Sequence, residues 1–274
     1  MKKFFSTVLI LFTLGSAFSQ EKSFNIWGSG TTFKLDPVKD SILLGTGLTL
    51  DTAWLLCDKV IDINKKFDGN ILDQADVNPL DKVFMQPYSK TIDKTADVGM
   101  IAGMATPLLM AFAPNEEWLT IATMYAETLF IAQGVKELAK YAMSRPRPYM
   151  YFENYCQEDV ENGEWAKSWP SGHSTMSFAG ATFTSYVFSK YFPESPLRFA
   201  VIGGTYAIAF TTAGLRMASG NHFFTDVLTG AALGTAIGFL VPWMHTFNLK
   251  KENSDGTSSE LFFSPLGVNV IFKL

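Results

Sequence analysis

An all-α fold, an antiparallel bundle of about five to six core helices embedded in a membrane with room for short strands at its termini, is what the sequence predicts. Three observations predict it. Over 274 residues, 47% are hydrophobic and 18% charged, more apolar than an ordinary soluble domain and long enough for one sizeable core. Five long apolar segments, Val98–Pro114, Trp118–Ala139, Ser174–Phe192, Phe199–Leu215 and Val227–Met244, are joined in part by short polar links such as Asn115-Glu116-Glu117 and Pro193–Pro196. Such links make successive helices antiparallel neighbours. The chain also opens on an export-type leader.

The elements follow in order. Lys2 and Lys3 precede the apolar run Phe4–Leu14, and Ala17-Phe18-Ser19 supplies small residues before Gln20, so residues 1–19 read as a signal peptide, with an uncleaved anchor as the other reading. Residues 20–94 form an N-terminal extension. Its start is polar, with Gly28, Gly30 and Pro37, and leaves space for a strand at Phe24–Trp27 or Thr31–Leu35. Ser41–Cys57 is apolar but interrupted by Asp51 and shorter than the roughly 20 residues of a span. Residues 58–94 predict short amphipathic helices with a break at Pro79. Residues 95–246 hold the five strong segments. The tail, 247–274, ends in a pattern for two short strands across Leu261–Phe272, turning at Pro265–Gly267. Cys57 and Cys156, the only cysteines, make no zinc pattern. Export permits a disulfide, and two free thiols are the plainer reading.

The net charge of −4 excludes the basic excess of a nucleic-acid binder. Three clusters carry chemistry. In the first, Lys140 is followed by Arg145 and Arg147, two of the four arginines, with Pro146 and Pro148 ending the helix. Such a stretch suits an anion site, or else a solvated basic helix end. In the second, Pro170-Ser171-Gly172-His173 precedes an apolar helix, whose first N–H groups can bind phosphate. N-capping explains the serines but not His173. In the third, Arg216 is followed by His222 and Asp226, four residues apart on one helix face. A carboxylate on one ring nitrogen would leave the other free to attack. The same step continues through Gly230, Gly234 and Gly238, a stripe that lets a neighbouring helix approach closely. His245 has no assigned role. Asp73, Asp76, Asn78 and Asp81 are spaced loosely like a calcium loop but lack its glycine.

Taken together, Lys140-x6-Arg147-Pro148, Pro170-Ser171-Gly172-His173 and Arg216-x5-His222-x3-Asp226 resemble the three-part signature of the type 2 phosphatidic acid phosphatase (PAP2) and vanadium haloperoxidase superfamily, over about residues 95–245. One departure is Leu215, where the family often has serine before the arginine. The resemblance implies a PAP2-like bundle and a phosphatase without metal or other cofactor. His222, oriented by Asp226, would attack phosphorus and form a phosphohistidine, and His173 would protonate the leaving group. Lys140, Arg147, Arg216, Ser171 and the Gly172 N–H would hold the phosphate oxygens. It implies a phosphorylated lipid or small phosphomonoester as substrate, with membrane lipid as partner. A soluble periplasmic non-specific acid phosphatase is the alternative, and a vanadate-dependent haloperoxidase a more distant one.

The clusters fall at alternate helix ends, so antiparallel packing puts them on one face of the bundle. With Gln20 outside and Ser41–Cys57 not spanning, five crossings place that face in the periplasm. With Ser41–Cys57 spanning, the face turns to the cytoplasm. A soluble exported bundle remains the competing arrangement. The loop Tyr149–Trp169, carrying Glu153, Glu158, Asp159, Glu161 and Glu164, is expected to shape entry to the site.

Overall fold

The computed structural model describes residues 30–61, 64–247, 250–252, 258–264 and 267–273. The expected signal segment 1–19 and the strand at Phe24–Trp27 lie outside the described residues. Six long helices form the body: α1 (Pro37–Leu56), α2 (Lys90–Ala105), α3 (Trp118–Met143), α4 (Gly172–Tyr191), α5 (Leu197–Ala218) and α6 (Phe224–Met244). The tail adds a three-stranded antiparallel sheet in the order β1 (Lys250–Glu252), β2 (Ser258–Ser264), β3 (Gly267–Lys273), with Leu261 paired to Val270.

Helix α4 is central. It packs on α2, α3, α5 and α6 and is buried nearly all round. That explains why its sequence is apolar without an amphipathic stripe, since a helix enclosed on every side has no polar face to show. The glycine stripe of α6 lies against α4 as the spacing predicts. A Cβ on Gly230 would meet the carbonyl oxygen of Ser171, one on Gly234 that of Thr175, and one on Gly238 that of Ala179. Gly234→Ala is therefore expected to destabilise by about 1–3 kcal/mol through overpacking, seen as a lower midpoint in thermal unfolding. Gly203→Ala on α5, where a Cβ meets nothing within 4 Å, should instead be neutral or stabilise by roughly 0.5–1 kcal/mol. Equal effects at the two positions would contradict this packing.

Several expectations are corrected. Ser41–Cys57 is part of a full bundle helix: α1 starts at Pro37, capped by Asp36, whose carboxylate accepts from the N–H of Val38 and Lys39 at 3.0 and 2.9 Å. At 20 residues it runs along α3. The bundle thus has six long helices. Thr31–Leu35 is not a strand. Instead the Lys34 N–H donates to the His245 carbonyl at 2.9 Å, so the start of α1 and the end of α6 share one end of the bundle. Pro79 begins a short helix (Pro79–Lys82) rather than breaking one, because proline at the first helical position forfeits no hydrogen bond. Helix α3 ends before Pro146, at Ser144 in a left-handed conformation (φ 43°). Helix α2 begins at Lys90 and runs through the expected domain boundary at 94/95. Cys57 and Cys156, by contrast, agree with the plainer reading, and both are free thiols. Asp73 and Asn78 cap short helical turns, and Asp81 pairs with Arg145, which accounts for the loosely calcium-like spacing.

Two helical stretches among the described residues, Lys90–Phe112 and Phe224–Met244, are long and apolar enough to cross a membrane. Val38 and Ile42 on α1, Val98 and Ile101 on α2, Phe199 and Phe210 on α5, and Leu228 on α6 all face outward.

Candidate active site

The three clusters meet at one end of the bundle, where α3 ends, α4 starts, α5 ends and α6 starts. His222 is 2% exposed. Its Nδ1–H donates to the carbonyl oxygen of Ser168 at 2.7 Å, because a carbonyl can only accept. That bond fixes the tautomer and presents Nε2 with its lone pair. Burial first, then the charges of Arg216 and Arg147, His173 and Lys140, hold the His222 imidazolium well below the ordinary histidine range. A neutral imidazole is the form that can act as nucleophile.

The expected direct bond from Asp226 to His222 is not formed. Asp226 Oδ2 lies 3.8 Å from His222 Nδ1 and instead accepts from Ser168 Oγ at 2.5 Å and the Phe223 N–H at 2.9 Å. Its other oxygen accepts from Arg145 Nη1 at 2.5 Å. The carboxylate therefore holds Ser168, and Ser168 holds the histidine. Four-residue spacing brings two side chains to one helix face. Here residue 222 precedes the helix, which starts at Phe224, and Asp226 turns back to cap the first turn. Arg145 is a clamp: it also binds Asp81 at 2.7 Å and Thr225 at 2.8 Å, and its guanidinium stacks on Phe223 at 4.2 Å.

The cations expected to hold phosphate are buried and each has a partner. Lys140 Nζ donates to Glu137 at 3.1 Å. Arg147 donates to Asn221 Oδ1 at 2.7 Å and the Glu164 carbonyl at 2.9 Å, with Asp159 and Glu164 carboxylates both at 3.5 Å. The acidic loop thus does reach the site, by lying over Arg147. Arg216 Nη1 pairs with Asp93, while its Nε is buried without a hydrogen bond. Ser171 caps α4, accepting from the Ser174 N–H at 3.4 Å, and its own N–H donates to the Asp226 carbonyl at 3.0 Å. Gly172 lies against Lys136: a Cβ there would be 3.4 Å from its Nζ. His173 Nε2 is 2.7 Å from Asp97 Oδ1.

The sequence reading misses Lys136, Asp93, Asp97, Asn221 and Ser168. Lys136 is four residues before Lys140, and Asp93 four before Asp97, so each pair shares a helix face and the periodicity carries a signal. Ser168 holds His222 through its backbone carbonyl and Asp226 through its hydroxyl, and a carbonyl's role leaves no sign in the side-chain pattern.

Residues 121–250 match the family model of the PAP2 superfamily, a span that contains all three signature blocks. Lipid A 1-phosphatase of Porphyromonas gingivalis is 30% identical over 130 residues, 47% of this chain and 25% of that protein. A PA-phosphatase related-family protein of Dictyostelium discoideum is 34% identical over 84 residues, 28% of this chain and 31% of that one. The chain therefore spans less than a third of these curated relatives. A crystal structure of a transmembrane PAP2-type phosphatidylglycerolphosphate phosphatase from Bacillus subtilis aligns with 75% of this chain and 95% of its own, at 20% identity and a TM-score of 0.41.

Proposed function

We propose that this chain, whose residues 121–250 are a PAP2 superfamily segment, is a metal-independent phosphatase that hydrolyses a phosphorylated lipid through a phosphohistidine. One observation carries the reading: a tethered His222, held neutral by burial and by the charges of Arg216 and Arg147, His173 and Lys140, keeps Nε2 free at the end of the bundle where these groups gather. Nε2 attacks phosphorus while the P–O bond to the leaving group breaks. The departing oxygen takes its proton from His173; burial and the Arg216 charge disfavour its imidazolium, and Asp97 together with the negative charge of the bound phosphate offsets them. Water then attacks phosphorus and gives a proton to His173, forming a P–O bond as the P–N bond breaks, which releases phosphate and restores His222. Planar arginines and a lysine supply the charge stabilisation that metal ions give in other phosphoryl-transfer sites. The phosphate displaces the carboxylates now paired with these cations.

The lipid substrate is supported by the outward-facing apolar residues and by similarity to the lipid A 1-phosphatase. Phosphate release from a panel of phosphorylated lipids and soluble phosphomonoesters, in the presence of EDTA, tests the reading. Release from lipid substrates undiminished by EDTA is expected. Activity confined to soluble esters would make this a non-specific acid phosphatase. Activity lost to EDTA and restored by metal, in protein whose folding the chelator leaves intact, would contradict the cationic site.

We propose that the site lies on the periplasmic face of the inner membrane. Lys34, whose N–H donates to the His245 carbonyl, lies at the end of the bundle opposite the site, so this orientation places it on the cytoplasmic side. With Cys57 and Cys156 changed to serine, an impermeant maleimide should label Glu158→Cys but not Lys34→Cys in cells with a permeabilised outer membrane. The reverse pattern would put the site in the cytoplasm, and labelling at both would indicate a soluble exported bundle.

A further inference from the structure

At the end of the bundle opposite His222, three buried side chains from α1, α3 and the close of α6 converge. Asp40, Glu127 and His245 each place one ligand atom within 4.8 Å of the others. Helix α6, 21 residues long, separates this cluster from the candidate active site by ~30 Å at 1.5 Å per residue. His245 and Glu127 are fully buried, and Asp40 is 9% exposed. The His245 Nδ1–H donates to the Val241 carbonyl at 2.8 Å, which turns Nε2 toward the two carboxylates. Nε2 lies 3.1 Å from Asp40 Oδ1 and 3.3 Å from Glu127 Oε2.

We infer that this cluster is a structural zinc-class site. The second observation beside the clustering is Glu127, whose two carboxylate oxygens are both buried and accept no hydrogen bond. A charged carboxylate in that state is costly unless a cation or a proton meets it. The nearby ammonium of Lys39 does not meet it, because it donates to the carbonyls of Lys34 and Met244 at 3.0 and 3.4 Å. A proton on His245 Nε2 can serve Asp40 or Glu127 but not both, whereas a divalent cation binds all three. The geometry suits one: bonds of about 2.0 Å from a tetrahedral zinc imply ligand–ligand edges of about 3.3 Å, close to the two spacings seen. The second oxygen of Asp40 is already held by the Asp36 N–H at 2.9 Å, and the Val241 carbonyl fixes the imidazole, as outer partners of metal ligands do. Water supplies the fourth ligand. The ion would tie the start of α1 to α3 and α6.

The test uses the full chain, stripped with chelator and reloaded with zinc chloride alone. Metal analysis after desalting should find about one zinc per chain in the wild type and under about a fifth of that in Glu127→Gln. Saturating zinc should raise the wild-type melting temperature by about 5 °C and leave the variant unmoved. Should Glu127→Gln not fold, cobalt(II) loaded into the wild type tests the same site through the visible absorption of a four-coordinate ion. Zinc retained equally by the variant, or a wild type that neither retains zinc nor shifts its melting temperature nor takes up four-coordinate cobalt, overturns the site. None of these readouts depends on the phosphatase reading.

Discussion

Replacing His222 with alanine is expected to lower phosphate release by about four orders of magnitude or more, the scale of losing a covalent nucleophile. The reason is geometric. The ring is tethered at Nδ1 to the Ser168 carbonyl and set in a field of buried cations, so a water entering the vacated space would lack the fixed position and the nucleophilicity of a neutral imidazole nitrogen. Folding should survive, since α6 starts after residue 222 and its Asp226 cap does not contact the ring by a hydrogen bond. Turnover should be measured beside circular dichroism of the same preparation. A folded variant retaining activity within tenfold of wild type would remove His222 as nucleophile.

The second large effect is at His173 and depends on the leaving group. Losing a general acid costs about 10²–10⁴-fold when the departing oxygen is strongly basic. It costs much less when the leaving group is a stable anion. His173→Ala should therefore lose most of its activity on an alkyl phosphate or a lipid phosphate and far less on p-nitrophenyl phosphate. A merely structural histidine would lower both equally. An equal loss would also leave the Asp97–His173 pair without a role in proton transfer.

The sequence is informative where function demands side chains at fixed intervals and silent where it uses backbone. Lys140, Arg147, Ser171, Gly172, His173, Arg216, His222 and Asp226 fall together at one end of the bundle because alternate ends of antiparallel helices share a face. The glycines of α6 meet α4 backbone as their four-residue step requires. Two limits account for what the pattern hides. Asp51 and a short apolar run disguise α1, whose polar start, Asp36 to Asp40, serves as cap and ligand cluster rather than as loop. Spacing alone suggests the Asp226–His222 bond, but the cap geometry at Phe223 redirects the carboxylate to Ser168 and Arg145. The partners on α2, Asp93 and Asp97, lie across the domain boundary that composition suggests.

The most direct measurement is rapid-quench labelling with a ³²P-lipid phosphate, followed by mass spectrometry of the labelled peptide. An acid-labile, base-stable phosphoryl group is expected on His222, formed and lost at rates that match turnover and absent from His222→Ala. Turnover with the phosphoryl group found on His173, or on no histidine at all, would contradict attack by His222.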